Sequence, residues 1–210
     1  MKKLLFFVVA LFTTYFAQAQ EGIKIGIKAG PNFSTISGDD VDSDDAEKPE
    51  YKFGFHAGAF LDYGISDMFS IRPELLYSIK GFKVETNEDD AELTLKSNTH
   101  YLELPILARI KTGESGLFFE AGPTFSYLLT AKSKAEGQFM GEEFEETESG
   151  TDGYNKLDVG YAAGIGYQLA SGLGIGLRYN GGLSKLDEDG EAKVYNSNFM
   201  LSLSWAFGGN

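Results

Sequence analysis

Phe199-Met200-Leu201-Ser202-Leu203-Ser204-Trp205-Ala206-Phe207 decides how the rest of the chain is read. Large apolar side chains occupy every second position (Phe199, Leu201, Leu203, Trp205, Phe207), and Met200, Ser202, Ser204 and Ala206 stand between them. Successive side chains of an extended chain point to opposite faces, so this is a strand with one bulky apolar face and one small, more polar face. A helix, with its period of about 3.6, would scatter those residues around its circumference. Such an apolar face has to be covered by protein or by lipid, and the upstream sequence tells which.

Seven earlier segments repeat the pattern, at 23–30, 52–65, 68–80, 99–110, 117–130, 157–169 and 173–183. In the first, Ile23, Ile25, Ile27 and Ala29 alternate with Lys24, Gly26, Lys28 and Gly30; in the sixth, Val159, Tyr161, Ala163, Ile165 and Tyr167 alternate with Asp158, Gly160, Ala162, Gly164 and Gly166. The connections alternate in length. Long loops at 35–51, 81–98, 131–156 and 185–195 read as polar coil, and short turns lie between them. That asymmetry predicts an all-β fold, an eight-stranded antiparallel up-and-down transmembrane β-barrel in the outer membrane with both termini on the periplasmic side.

Charge supports lipid as the cover. The bulky apolar face carries no charged residue, and a Lys or Arg facing lipid at mid-bilayer costs roughly 2–4 kcal/mol. The opposite face carries Lys24, Lys28, Lys52, Arg72, Lys80, Arg109 and Arg178 with Asp62, Glu74, Glu103, Glu120 and Asp158, nearly balanced and free to pair inside a narrow lumen. A soluble lipocalin-like barrel would show the same period with its apolar face inward. Eight strands enclose a space only just wide enough for side chains, however, and the apolar set is too bulky for it, whereas the Gly, Ala and Ser residues among the charges fit. Aromatics on the lipid-facing parity near strand ends, including Tyr63, Phe69, Trp205 and Phe207, are expected to form interfacial girdles together with the closing strand from Phe199. Prolines 73, 105 and 123 each remove a ladder donor, and bulges are expected there.

Residues 1–19 read as a signal peptide: Lys2 and Lys3, an apolar run at 4–12, and Ala17-Gln18-Ala19 before the cleavage point. A membrane-spanning helix needs about 20 apolar residues, and Thr13, Thr14 and Gln18 interrupt the run. The barrel domain is then 20–210, with 16 basic against 31 acidic residues. Binding to nucleic acid rests on cations at phosphates, so this charge excludes it as a partner. There is no cysteine, hence neither a disulfide framework nor a lipid-accepting Cys. The four long loops hold 23 of the acidic and 8 of the basic residues, which places the whole net charge in them.

Several blocks resemble the small outer-membrane β-barrel domain of Bacteroidota, the porin-like or PorT-like barrels. They are Tyr101-Leu102-Glu103-Leu104-Pro105-Ile106-Leu107-Ala108-Arg109, Phe119-Glu120-Ala121-Gly122-Pro123, Leu177-Arg178-Tyr179-Asn180-Gly181-Gly182-Leu183-Ser184, Gly30-Pro31-Asn32 and Arg72-Pro73-Glu74-Leu75. The resemblance implies fold and location, and brings no catalytic residues with it.

Little else in the chain carries chemistry. Asp40-Val41-Asp42-Ser43-Asp44 opens like a calcium loop, but Asp45 stands where glycine is needed and Tyr51 where the bidentate glutamate belongs. The acidic loops are expected at most to collect divalent cations. Gly172-Leu173-Gly174-Ile175-Gly176 opens no helix and reads as lumen-facing glycines rather than a phosphate loop. His100, with Ser97 nearby, lacks an acid partner at a telling spacing, so neither enzymatic activity nor a cofactor is expected, and a lipid-modifying enzyme ranks last. The expected function is a plugged, non-conducting scaffold displaying acidic outer loops, with outer-membrane lipids and, through the C-terminal strand, the barrel-assembly machinery as partners. A narrow channel for ions or small solutes is the alternative.

Overall fold

The computed structural model describes residues 22–39, 41, 48–88, 91–112, 116–139, 142–187 and 193–207. The signal peptide expected at 1–19 lies outside the described residues, as does the calcium-like motif apart from Val41. Period-2 alternation becomes nine strands: β1 (Ile23–Ser37), β2 (Glu50–Gly64), β3 (Phe69–Glu88), β4 (Ala91–Lys111), β5 (Leu117–Phe139), β6 (Glu142–Gly150), β7 (Leu157–Gln168), β8 (Leu173–Gly182) and β9 (Tyr195–Phe207).

All pairings are antiparallel. Residues 25–37 of β1 pair with β9, from Ile25 opposite Phe207 to Ser37 opposite Tyr195, and this closes the ring. β5 changes partner along its length: residues 117–127 pair with β7, and residues 131–139 pair with β6. The closed ring therefore has eight strands, and β6 is a ninth that lies alongside only the far half of β5.

The ninth strand, with the extension of β3 and β4, corrects two expected loops. Residues 81–98 and 131–156 are largely strand, because β3 and β4 continue as a paired hairpin to Glu88 opposite Ala91, and β5 and β6 to Phe139 opposite Glu142. In water a ribbon needs no apolar face toward lipid, so polarity there does not imply coil. Backbone ladders hold it, aided by ion pairs from Lys96 to Glu136 at 2.6 Å and Lys134 to Glu145 at 3.1 Å. Hydrogen bonds from Lys134 and then Lys96 hold the Glu136 carboxyl down at about 2.

The bulges expected at the prolines are absent from those positions. Register shifts fall instead between Tyr51 and His56 and between His100 and Tyr101. At each barrel proline the pairing lapses on one side for two residue pairs and resumes in the same register. Phe60 opposite Glu74 is followed by Tyr63 opposite Ile71 around Pro73, and Pro105 opposite Thr124 by Ala108 opposite Ala121 around Pro123. A missing N–H costs one ladder bond, and a local gap accommodates it without an extra residue.

The faces are inverted relative to a soluble domain. Phe53, Leu177, Leu203 and Trp205 point outward, each more than half exposed, while Arg72, Glu74, Glu103 and Arg178 are among the least exposed side chains. Gly172, at φ 88°, makes the turn from β7 to β8.

Candidate functional site in the barrel lumen

Inward-facing positions stack in layers from the short turns toward the long hairpins. In the layers nearer the short turns, Arg178 of β8 joins two carboxylates from other strands. Its Nη1 and Nη2 donate to the two oxygens of Glu74 on β3 at 2.7 and 2.9 Å, and its Nε donates to Oε1 of Glu120 on β5 at 2.9 Å. Glu120 also accepts from Arg109 of β4 at 2.6 Å, and Glu74 accepts from Lys28 of β1 at 3.2 Å. Arg72 donates to Asp62 at 2.5 Å. Planar guanidinium forks suit such shared carboxylates, and charged groups withdrawn from water persist only when paired in this way.

Two of the guanidinium groups also lie on aromatic rings. Arg72 sits 4.0 Å from the centre of Phe60 and Arg109 3.6 Å from that of Phe118. Glycine makes room for these rings, since a Cβ at Gly26 would lie 2.2 Å from Phe60 and one at Gly166 2.2 Å from Phe118. Gly166→Val is accordingly expected to displace Phe118 and lower unfolding stability by about 1–3 kcal/mol. A denaturant titration giving the wild-type midpoint would show that the ring has no such seat.

The middle layer is neutral. His56 contacts Asn32 through Nδ1 at 2.7 Å and Ser202 through Nε2 at 2.9 Å, Asn32 donates to Ser78 at 3.0 Å, and Leu76 and Met200 are fully buried beside them. Above it Lys80 pairs with Glu103 at 2.6 Å and lies 4.9 Å from the Tyr101 ring. Asp158 accepts from Asn196 at 2.8 Å and has no cation within 4.0 Å among the described residues.

The expected lumen set is thus distributed unevenly. Lys28, Glu74, Glu120, Arg109 and Arg178 form one lattice, Asp62 and Arg72 a pair, and Glu103 pairs with Lys80; Asp158 depends on an amide, and Lys24 stands half-buried at the mouth. Lys28, Asp62, Arg72, Glu74, Glu103, Arg109, Glu120, Asp158 and Arg178 are each no more than 8% exposed. Sequence reasoning missed the His56–Asn32–Ser202 chain and the seats of Phe60 and Phe118. Inward parity of two aromatics opposite small glycines was the available signal. Tyr63, Phe199, Trp205 and Phe207 face outward, and Phe69 is half-buried on the same face. Phe199 lies 5.0 Å from Tyr179 and Trp205 stacks on Phe207 at 6.3 Å.

His100 and Ser97 are not brought together. His100 Nδ1 meets the Tyr77 hydroxyl at 2.5 Å on the outer surface, whereas Ser97 is buried on the inner side next to Tyr154. Among the described residues no three Asp, Glu or His side chains are grouped to hold a metal ion.

A closed antiparallel barrel, apolar outside and ion-paired within, is an integral membrane protein of the strand-spanning kind. The chain belongs to the outer membrane protein beta-barrel domain family, whose model matches residues 16–188, and its place is the outer membrane. Among solved structures it is similar to Ail, the attachment invasion locus protein of Yersinia pestis, with 15% identity, 90% of this chain and 100% of that chain covered, and a TM-score of 0.44. It is also similar to Neisserial surface protein A, with 17% identity, coverage of 89% and 100%, and a TM-score of 0.41. OprG from Pseudomonas aeruginosa gives 10% identity, coverage of 90% and 97%, and a TM-score of 0.40. No curated protein matches the sequence.

Proposed function

We propose that the protein is a plugged, non-conducting scaffold of the outer membrane, of the porin-like kind found in Bacteroidota, that anchors and displays an acidic, strand-built crown at the cell surface. Its role is envelope integrity or surface binding, without enzymatic activity. The short turns and both termini face the periplasm, lipids surround the apolar band, β9 engages the assembly machinery, and the acidic outer connections attract divalent cations.

The observation that carries this reading is the bridge from Glu74 through Arg178 to Glu120, which ties β3, β8 and β5 together across the lumen with all three side chains buried. An eight-stranded barrel has space for side chains and no more, so a lattice of this kind acts as a plug. The protruding parts of β3 to β6 support the display role, for they extend past the charged interior and expose Glu145, Glu146 and Glu148.

Refolded mature protein in a planar lipid bilayer, with heat-modifiable gel mobility as the proof of folding, is expected to show no conductance steps. Discrete steps from folded protein would overturn the plug and make the charged interior a selectivity lining.

A further inference from the structure

We infer that the mouth at the short-turn end of the barrel is a binding site for a small polyanion, held between the ammonium groups of Lys24 and Lys111. A cavity of about 630 Å³ opens there, with Lys24, Lys111, Asp62, Phe118 and Gln168 in its wall. That volume lies within the range of small-ligand sites, about 300–1,000 Å³.

The two lysines approach it from different strands. Lys24 is on β1 opposite Asp62, and Lys111 ends β4 opposite Phe118. Among the described residues neither ammonium has a carboxylate within 4.0 Å, whereas Lys28, Arg72, Lys80, Arg109 and Arg178 each have one. Asp62, the carboxylate in the wall, is already engaged by Arg72 at 2.5 Å. Arg72 and Arg109 of the next layer inward are balanced by Asp62 and Glu120, so the excess charge at the mouth is that of the two lysines, and it is positive although the chain as a whole is acidic. At physiological salt the field of distant acidic connections is screened within about 8 Å, and the nearby cations dominate.

The wall is also fixed in place. Gln168 accepts from Arg109 Nη1 at 3.2 Å and donates to the Gly172 carbonyl at 3.2 Å, so its amide holds the β7–β8 turn against the lattice. Two compact, mobile ammonium groups in an open polar mouth recognise charge more than shape, which fits a ligand with two or more carboxylate or phosphate groups entering from the aqueous side.

Calorimetric titration of the folded protein in zwitterionic detergent with citrate, and separately with pyrophosphate, tests this. Saturable one-to-one binding that weakens as sodium chloride is raised is expected for at least one probe, and which one binds assigns carboxylate or phosphate chemistry. Lys24→Gln combined with Lys111→Gln, folded by gel mobility, should weaken it roughly tenfold or more. Lys132→Gln combined with Lys156→Gln removes the same charge from exposed positions and should leave it unchanged. Absence of saturable heat with both probes, equal loss in the two double variants, or heat seen only after anionic phospholipid is added would each overturn the site. In the last case the lysines serve lipid headgroups.

Discussion

Arg178→Met is expected to destabilise the barrel by about 3–5 kcal/mol, more than any other single substitution in the lumen, because it leaves buried carboxylates short of their shared cation. Glu74 keeps Lys28 and Glu120 keeps Arg109, but each buried carboxylate loses the guanidinium that completed its coordination and is left with a single cation. The side chain cannot find water, being 2% exposed. Urea unfolding in phospholipid vesicles, followed by heat-modifiable mobility, measures the effect. Adding Glu74→Gln with Lys28→Met and Glu120→Gln with Arg109→Met to Arg178→Met should restore most of the loss, since a neutral interior of similar volume avoids the desolvation that the ion pairs only offset. If that fivefold variant is as unstable as the single one, packing of the Arg178 stem matters more than its charge. Folded Arg178→Met should also give brief conductance steps where the wild type gives none, which ties the lattice to closure of the lumen.

The barrel was legible in the sequence wherever lipid dictates the residues. Hydrocarbon tolerates no charge on the outward face and a narrow lumen tolerates little bulk on the inward one, so positions such as Leu201 and Ser202 declare their sides without any partner being known. Outside the bilayer that dictation ends. Residues 144–150 are exposed throughout, and a strand there looks like a loop in composition, although in the neighbouring hairpin Leu93 and Leu95 alternating with Thr94 and Lys96 preserve a trace of the period. Parity likewise assigned Arg178 to the lumen but not to Glu74, 104 residues away, or to Glu120, 58 residues away, because pairing across the interior depends on the stagger of the whole ring. Parity placed Asp158 in the lumen for the same reason, without showing that the amide of Asn196 would be its hydrogen-bond donor.

Leu177→Arg is expected to cost about 2–4 kcal/mol in vesicles, and it tests the membrane assignment directly. Leu177 lies mid-strand on β8, opposite Ile165 on β7 and Leu201 on β9, so its outward neighbours are aliphatic and its side chain is 52% exposed. Were that surface in water, an exposed Leu→Arg change away from special features would fall within about 0.5 kcal/mol of neutral. The two environments therefore differ by more than the error of a urea titration. Leu177→Ala, which removes apolar contact without adding charge, should cost clearly less than the arginine variant. Arg178, the very next residue, shows why position and not chemistry sets the sign: one step along the strand turns the guanidinium from hydrocarbon to the carboxylates of Glu74 and Glu120. Exchanging the two residues, Leu177→Arg with Arg178→Leu, should thus abolish folding into vesicles. A folded exchange variant would mean that β8 can slip its register by one residue, and that the alternation alone does not fix which face meets the lipid.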